Sequence, residues 1–206
     1  MMELESMAVE MPEVKGHPNR AEFRGVLTLV DVASERAPSG SGGRRVVLTR
    51  QAAEAALPSL LGMALDYTPS FDRHDVRRKV GVITSAQVVG RNLEVGGYLY
   101  AKDFPEIVEE IESSGCRTRE LDLRSKQTNR SVSLSAAARG LRNLTRGIRG
   151  NAVQSGAGLG MSFEVTDAIL ADRRSKIWTL VKVTFTGAAI LRRDKAAFQE
   201  TWIELA

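Results

Sequence analysis

The chain has 206 residues, of which 43% are hydrophobic and 26% are charged, and its formal net charge is +4. This length suits one core better than two full domains, and the composition excludes a globally disordered chain. No apolar run approaches the roughly 18 residues of a membrane-spanning helix, so we expect no membrane partner.

Cysteine and histidine are scarce. The chain has one cysteine, Cys116, and two histidines, His17 and His74. One cysteine excludes an intrachain disulfide and a thiolate-rich zinc site, and the histidines lack HExxH spacing. The phosphate-binding patterns GxxxxGK[ST] and GxGxxG are absent. The sequence therefore predicts no metal and no cofactor.

The N-terminal residues 1–21 combine Glu, Pro, Gly and Met without a sustained period. This composition predicts a flexible arm, followed by a single domain over residues 22–206. The arm has no basic segment followed by an apolar one, so we expect no signal peptide and a cytoplasmic protein.

The first half of the domain is predicted to form strands and one short helix. Phe23 to Val32 and Arg45 to Leu48 have strand composition, and the Gly/Ser run at residues 39–43 separates them. Thr49 is a suitable N-cap for a short helix that ends near Pro58.

A hairpin and a second helix follow. Residues 67–70 have loop composition, whereas Lys79 to Val89 and Leu93 to Tyr100 read as strands joined by a turn at residues 90–92. Phe104 to Ser113 has an early proline and apolar residues on one stripe, which predicts a helix closed by a glycine.

A basic segment occupies residues 117–150. From Arg117 to Arg149 it has eight arginines and one lysine against one glutamate and one aspartate, a net charge of +7. It has no interleaved aromatic residues, so we interpret it as an inserted or mobile segment and do not expect nucleic acid as a partner. Residues 132–135 alternate like a strand, and residues 136–148 suit a basic helix.

The last part of the chain again favours strands. Leu159 to Val165 alternates so that Ser162 faces away from the core, and Ile177 to Phe185 forms a long strand after a polar turn at residues 171–175. A short helix is predicted near residues 195–198. The predicted class is α+β and mainly β, an antiparallel sheet or barrel with peripheral helices.

His74 and Ser162 are the candidate catalytic pair. A serine nucleophile needs a base for its proton, and histidine titrates near neutrality, so the two residues could perform acyl transfer if the fold joins them. Triads occur in several chain orders, which makes histidine before serine acceptable. Ser162 lacks a GxSxG nucleophile elbow, which argues against an α/β-hydrolase.

Three segments resemble the prohead maturation serine proteases of tailed bacteriophages, which share their core fold with herpesvirus assembly proteases. They are His74-Asp75 ahead of Val80-Gly81-Val82-Ile83, the run Leu159-Gly160-Met161-Ser162-Phe163-Glu164, and Lys182 to Leu191 followed by Lys195-Ala196-Ala197-Phe198. The resemblance covers roughly residues 23–203, and the predicted helix at residues 104–113 lies between the first two segments, as in those proteins.

The resemblance implies a partly closed, mainly antiparallel barrel wrapped by helices, with His74 as general base and Ser162 as nucleophile. The implied activity is a serine endopeptidase that cleaves scaffold and major capsid proteins, and itself as a further substrate, inside the assembling prohead in the host cytoplasm. The same resemblance is compatible with self-association.

The sequence leaves the identity of the third catalytic residue open. Many relatives carry an acidic residue in the strand that here contains Lys182, and a cation cannot replace it. Asp167 is the nearest carboxylate downstream of Ser162 and is our candidate, with Asp75 and Asp172 as alternatives. Asp75 is sterically the weakest of the three, because neighbours on an extended segment face opposite ways.

Other residues could assist or compete. The glycines at residues 156–160 or the arginines Arg139, Arg142 and Arg146 could stabilise an oxyanion, and the serines of residues 131–135 form a competing nucleophile run. The missing carboxylate keeps a second hypothesis open, a catalytically inactive structural or scaffold component of the phage head with the same fold. A nucleic-acid-binding module using residues 117–149 is the third.

Overall fold

The computed structural model of the chain describes residues 19–114 and 158–206. These residues form eight strands, and the fold is mainly β. The strands are β1 (Ala21–Leu29), β2 (Arg45–Leu48), β3 (Ala64–Tyr67), β4 (Lys79–Val89), β5 (Asn92–Leu99), β6 (Leu159–Leu170), β7 (Ile177–Arg192) and β8 (Trp202–Leu205).

Helix α1 (Arg50–Ala56) begins at the predicted cap. The side-chain oxygen of Thr49 accepts a hydrogen bond from the N–H of Ala52 at 3.3 Å, which satisfies one of the free amides at the helix start. A 3-10 turn (Leu57–Leu60) follows, and Pro58 stands in its first turn, where its missing N–H costs no hydrogen bond.

Helix α2 covers residues 105–114 and packs beside β3. Its Ile107 and Ile111 lie one turn apart and are buried. The Tyr67 hydroxyl donates a hydrogen bond to Glu106 at 3.0 Å, and burial followed by this hydrogen bond raises the pKa of Tyr67, so the phenol keeps its donor proton at neutral pH. No helix within residues 19–114 and 158–206 is long and apolar enough to cross a lipid bilayer.

Strand β7 organises the sheet. Seven strands follow one another in the order β2-β7-β3-β4-β5-β1-β8, and β6 pairs with β7. Most pairings are antiparallel, but β2 and β3 run parallel to β7. Because β7 is 16 residues long, it accommodates β2 near its start and β3 near its end, with β6 along its other side.

The sheet curls into a half-barrel, and β6 contacts both β8 and β1. The buried hydroxyl of Thr201 accepts a hydrogen bond from the N–H of Met161 at 3.2 Å and donates one to the carbonyl of Phe198 at 2.9 Å. Strand β1 comes equally close at Gly25, where a Cβ would lie 2.8 Å from the Met161 sulfur.

The core fills the concave side of this sheet. Met161 from β6, Ile190 from β7 and Leu65 from β3 belong to it, so their chain neighbours Ser162, Ala189 and Asp66 face the opposite side of the sheet. The largest fully buried side chains are Phe23, Leu27, Leu29, Leu48, Leu60, Leu65, Ile83, Leu93, Leu99, Ile107, Ile111 and Met161.

The mainly β class, the α1 cap, the β4–β5 hairpin and the helix after it are confirmed. The short helix predicted near residues 195–198 is wrong, because these residues form turns that lead into β8. Strand β3 was not predicted, and residues 64–67 pair with both β4 and β7. The predictions for residues 1–18 and 115–157, which include most of the arm and the basic segment, lie outside the described residues.

Thr201 provides a test of how the half-barrel closes. Thr201→Val preserves the side-chain volume but leaves the buried N–H of Met161 without its acceptor, so we expect the free energy of unfolding to fall by about 1–3 kcal/mol. Thr28→Val is the matched control, because Thr28 is equally buried but makes only a 3.4 Å contact with the Leu29 carbonyl. An equal loss for both variants in urea titrations would contradict this role.

Candidate functional site

Three neighbouring strands bring Asp66 and Ser162 onto one face of the sheet. Asp66 of β3 pairs with Ala189 of β7, and Ala189 pairs on its other side with Ser162 of β6. Laterally paired residues project to the same face, and two strand spacings separate the outer two by about 10 Å. A carboxylate and a hydroxyl therefore flank a residue that has only a methyl side chain.

Glu164 lies on the same face, two residues after Ser162. It pairs with Gly187, and a Cβ at Gly187 would meet the Glu164 carboxylate at 2.9 Å, so the missing side chain provides the space for this carboxylate. Ala189 and Gly187 together leave a shallow area on β7 between Asp66 and Glu164.

The His74 imidazole occupies the space between these two carboxylates. Its Nδ1 lies 3.5 Å from Asp66 Oδ1 and 3.9 Å from Glu164 Oε1. Because Asp66 and Glu164 stand on opposite sides of β7, a ring whose Nδ1 reaches both lies above β7. The imidazole is 15% exposed, whereas the Asp66 side chain is 1% exposed.

The loop over residues 68–78 carries His74 and is fixed at several points. The carbonyl of Phe71 accepts a hydrogen bond from the N–H of Arg192 at the end of β7, at 2.8 Å, and the Phe71 ring packs against Tyr67. Phe71 has a φ of +49°, a left-handed conformation that is rare for a bulky residue. Such strain persists only when surrounding contacts enforce it, and it is common beside functional sites.

The buried carboxylate of Asp66 has two further partners. Its Oδ1 accepts a hydrogen bond from the N–H of Asp75 at 3.2 Å, and its Oδ2 lies 3.3 Å from Lys79 Nζ. A buried carboxylate without partners would cost several kcal/mol, so these contacts stabilise its charge and hold the loop over β3. Asp66 therefore accepts a hydrogen bond from the loop and also faces His74, which the same loop carries.

The side chain of Asp75 turns away from His74 and towards two arginines. Its carboxylate accepts hydrogen bonds from the backbone N–H and from Nε of Arg77, at 3.1 and 3.2 Å, and Arg78 Nε lies 3.7 Å away. The backbone hydrogen bond from Arg77 is the main reason that the pKa of Asp75 is below its usual value. Asp75 thus shapes the loop and does not orient His74 with its carboxylate.

Ser162 and His74 line one cavity of about 990 Å³, together with Glu164, Asp72 and Arg73. The remainder of its lining is largely apolar and includes Leu27, Val46, Trp178, Leu180 and Phe198. Both ring nitrogens of His74 are shielded from solvent and form no hydrogen bond in the described structure, so His74 and Ser162 are not hydrogen-bonded to each other.

The structure brings Asp66, and not Asp167, to His74. Asp167 is exposed and lies where the β6–β7 register shifts, with a φ of +52° that aspartate tolerates better than most residues. It stands five residues from Ser162, about 17 Å along an extended strand. Asp172 instead accepts a hydrogen bond from the N–H of Arg174 in the β6–β7 turn. Neither carboxylate is within ion-pair distance of His74.

A cation, Arg193, also lies on the Ser162 face of β6. Its side chain packs against Gly160, and its Nε donates a hydrogen bond to the carbonyl of Leu159 at 3.3 Å. Burial lowers the pKa of Arg193 from its ordinary value, but an arginine remains charged at neutral pH. Of the predicted oxyanion donors, Gly158 and Gly160 fall in the described structure, whereas Gly156 and the three arginines at 139, 142 and 146 lie outside it, as does the serine run.

Comparison with known proteins does not assign the chain to a family. A scan against protein-family models, a search of curated proteins and a search of solved structures each gave no match. Within residues 19–114 and 158–206, no group of three or more His, Cys, Asp and Glu side chains is arranged to hold a metal ion. The site is therefore interpreted from its own geometry.

The loop that holds His74 should respond to acid. Because the pKa of Asp75 is lower in the folded protein than in the unfolded chain, its stabilising contribution is present above the unfolded value of about 4 and is lost as the pH falls through the lower folded value. Asp75→Asn should flatten the decrease in the free energy of unfolding between pH 5 and about pH 2. Parallel urea titrations across this range check it, and an unchanged slope would contradict it.

Proposed function

We propose that the protein is a serine endopeptidase in which Ser162 is the nucleophile, His74 the general base and Asp66 the orienting carboxylate. The observation that carries the proposal is the row Asp66–Ala189–Ser162 across three strands, with the His74 Nδ1 facing the buried carboxylate. In this proposal the three roles of a catalytic triad fall on β3, the following loop and β6.

The chemistry follows from these roles. The Asp66 carboxylate favours the His74 tautomer with a proton on Nδ1, which leaves Nε2 as the base. Nε2 takes the Ser162 proton as Oγ attacks the substrate carbonyl, and the same proton then passes to the leaving amine. Water, deprotonated by His74, releases the acyl group from Ser162 and restores both side chains. The carboxylate also stabilises the imidazolium that forms in each step.

The substrate assignment rests on the resemblance to phage prohead proteases. We propose that the substrates are the scaffold and major capsid proteins of the immature head, and that the chain also cleaves itself.

Cleavage of these substrates tests the proposal directly. Purified protein is mixed with the scaffold and capsid proteins encoded by the same genome, and products are followed by gel and mass spectrometry. Ser162→Ala and His74→Ala should lower cleavage by about 10⁴-fold or more, since the nucleophile and base act as a unit. Ser85→Ala is the matched control, an exposed serine on another strand. Equal cleavage by the parent and Ser162→Ala would contradict the assignment.

The orienting carboxylate is tested by a second pair of variants. Asp66→Asn keeps the shape and the acceptor for the Asp75 N–H but removes the charge facing His74, so kcat should fall by about 10²–10⁴-fold. Asp167→Asn should leave kcat almost unchanged, because Asp167 lies on the exposed bulge of β6. Thermal melts identify any loss of folding, and the reverse order of the two effects would restore Asp167 as the third residue.

A catalytically inactive head component with the same fold is the alternative. The observation that favours it is that His74 and Ser162 form no hydrogen bond in the described structure. The two proposals differ in one result: the inactive component leaves scaffold and capsid proteins intact under all conditions in which it binds them.

A further inference from the structure

The two carboxylates beside His74 differ in their surroundings. Asp66 is buried, and its carboxylate lies beside three groups, namely the Asp75 amide, Lys79 and His74. Glu164 is 48% exposed, and within residues 19–114 and 158–206 its ion-pair partner is His74 alone. The field of Asp66 at the imidazole is thus partly neutralised by Lys79, whereas that of Glu164 is not.

The pairing of β6 with β7 determines the position of Glu164. Its place two residues after Ser162 puts it on the nucleophile's face, and Gly187 opposite provides the space in which its carboxylate lies. A larger residue at Gly187 would displace the carboxylate from the imidazole. The chain therefore has a built location for a second acidic group at 3.9 Å from Nδ1.

We infer that Glu164 is a second positioning residue for His74, an inference that rests on the proposed serine protease function. It shares with Asp66 the task of keeping the proton on Nδ1 and stabilising the imidazolium during proton transfer. It acts through His74 and does not react with the substrate.

Kinetics of a double-mutant cycle test this role. Glu164→Gln should lower kcat roughly three- to tenfold with KM unchanged, since a half-exposed charge is partly screened. The same substitution in an Asp66→Asn background should cause a larger fold loss, because Glu164 is then the remaining carboxylate at Nδ1. Glu164→Asp keeps the charge and should resemble the parent. Glu54→Gln, with a similarly exposed glutamate on α1, is the matched control and should leave kcat unchanged.

These kinetics have definite contrary outcomes. If Glu164→Gln leaves kcat unchanged in both backgrounds, Glu164 does not position His74. If Glu164→Asp loses as much as Glu164→Gln, the charge is not what acts, and the inference is likewise overturned.

A spectroscopic readout separates this inference from the proposed function. Nitrogen-15 NMR of the imidazoles is simple to assign because the chain has two histidines, and His74→Ala identifies the relevant signals. In catalytically silent Ser162→Ala protein, the Nδ1–H tautomer should predominate and should decline most in the Asp66→Asn, Glu164→Gln double variant. If Glu164→Gln leaves the tautomer ratio unchanged in both backgrounds, the inference is overturned. If the tautomer ratio shifts as expected but the parent protein cleaves no substrate, only the proposed protease function is contradicted.

Discussion

The buried charge of Asp66 is the constraint on which the site depends. A carboxylate with 1% exposure is stable inside a protein only when cations and N–H donors surround it, and here Lys79 and the Asp75 amide take these positions, with the His74 ring 3.5 Å away. All three belong to the segment between β3 and the start of β4. Satisfying one buried charge therefore fixes the loop that carries the histidine.

Strand β7 determines where Asp66 lies relative to Ser162. It is paired on one side with β3 and on the other with β6, so the buried carboxylate and the Ser162 hydroxyl occupy matching positions across it. The small residues Gly187 and Ala189 leave the space above β7 in which an imidazole can lie. A bulky residue at either position would separate His74 from the carboxylates, although the sheet itself could still form.

The sequence was informative where a local pattern determines the structure. The Thr49 cap, the β4–β5 hairpin and the alternation around Ser162 depend on neighbours within a few residues, and each is present as predicted. Strand β3 has four residues with three of them buried, so it has no alternation, and its single charge sits between Leu65 and Tyr67. Such a segment cannot be distinguished from a loop by periodicity.

The carboxylate beside His74 was missed for a related reason. Asp167 was chosen because it is close to Ser162 along the chain. Asp66 is close in sequence to His74, but it shares a face of the sheet with Ser162 only because β3 and β6 both pair with β7. The useful signal was a lone carboxylate inside the apolar run at residues 63–67, since a buried charge needs a specific partner. Its partners Asp75 and Lys79 are local, whereas the pairings that place it on the face of Ser162 follow from long-range topology, which local composition does not encode.

We propose that Ser162 is an activated nucleophile, and its reactivity towards a fluorophosphonate tests this most directly. The protein is incubated with the reagent, and the modified residue is located by peptide mass spectrometry. We expect a single adduct on Ser162 that forms rapidly in the parent and is nearly lost in His74→Ala, because the base then no longer removes the hydroxyl proton. An unmodified Ser162, or labelling at the same rate without His74, would contradict it.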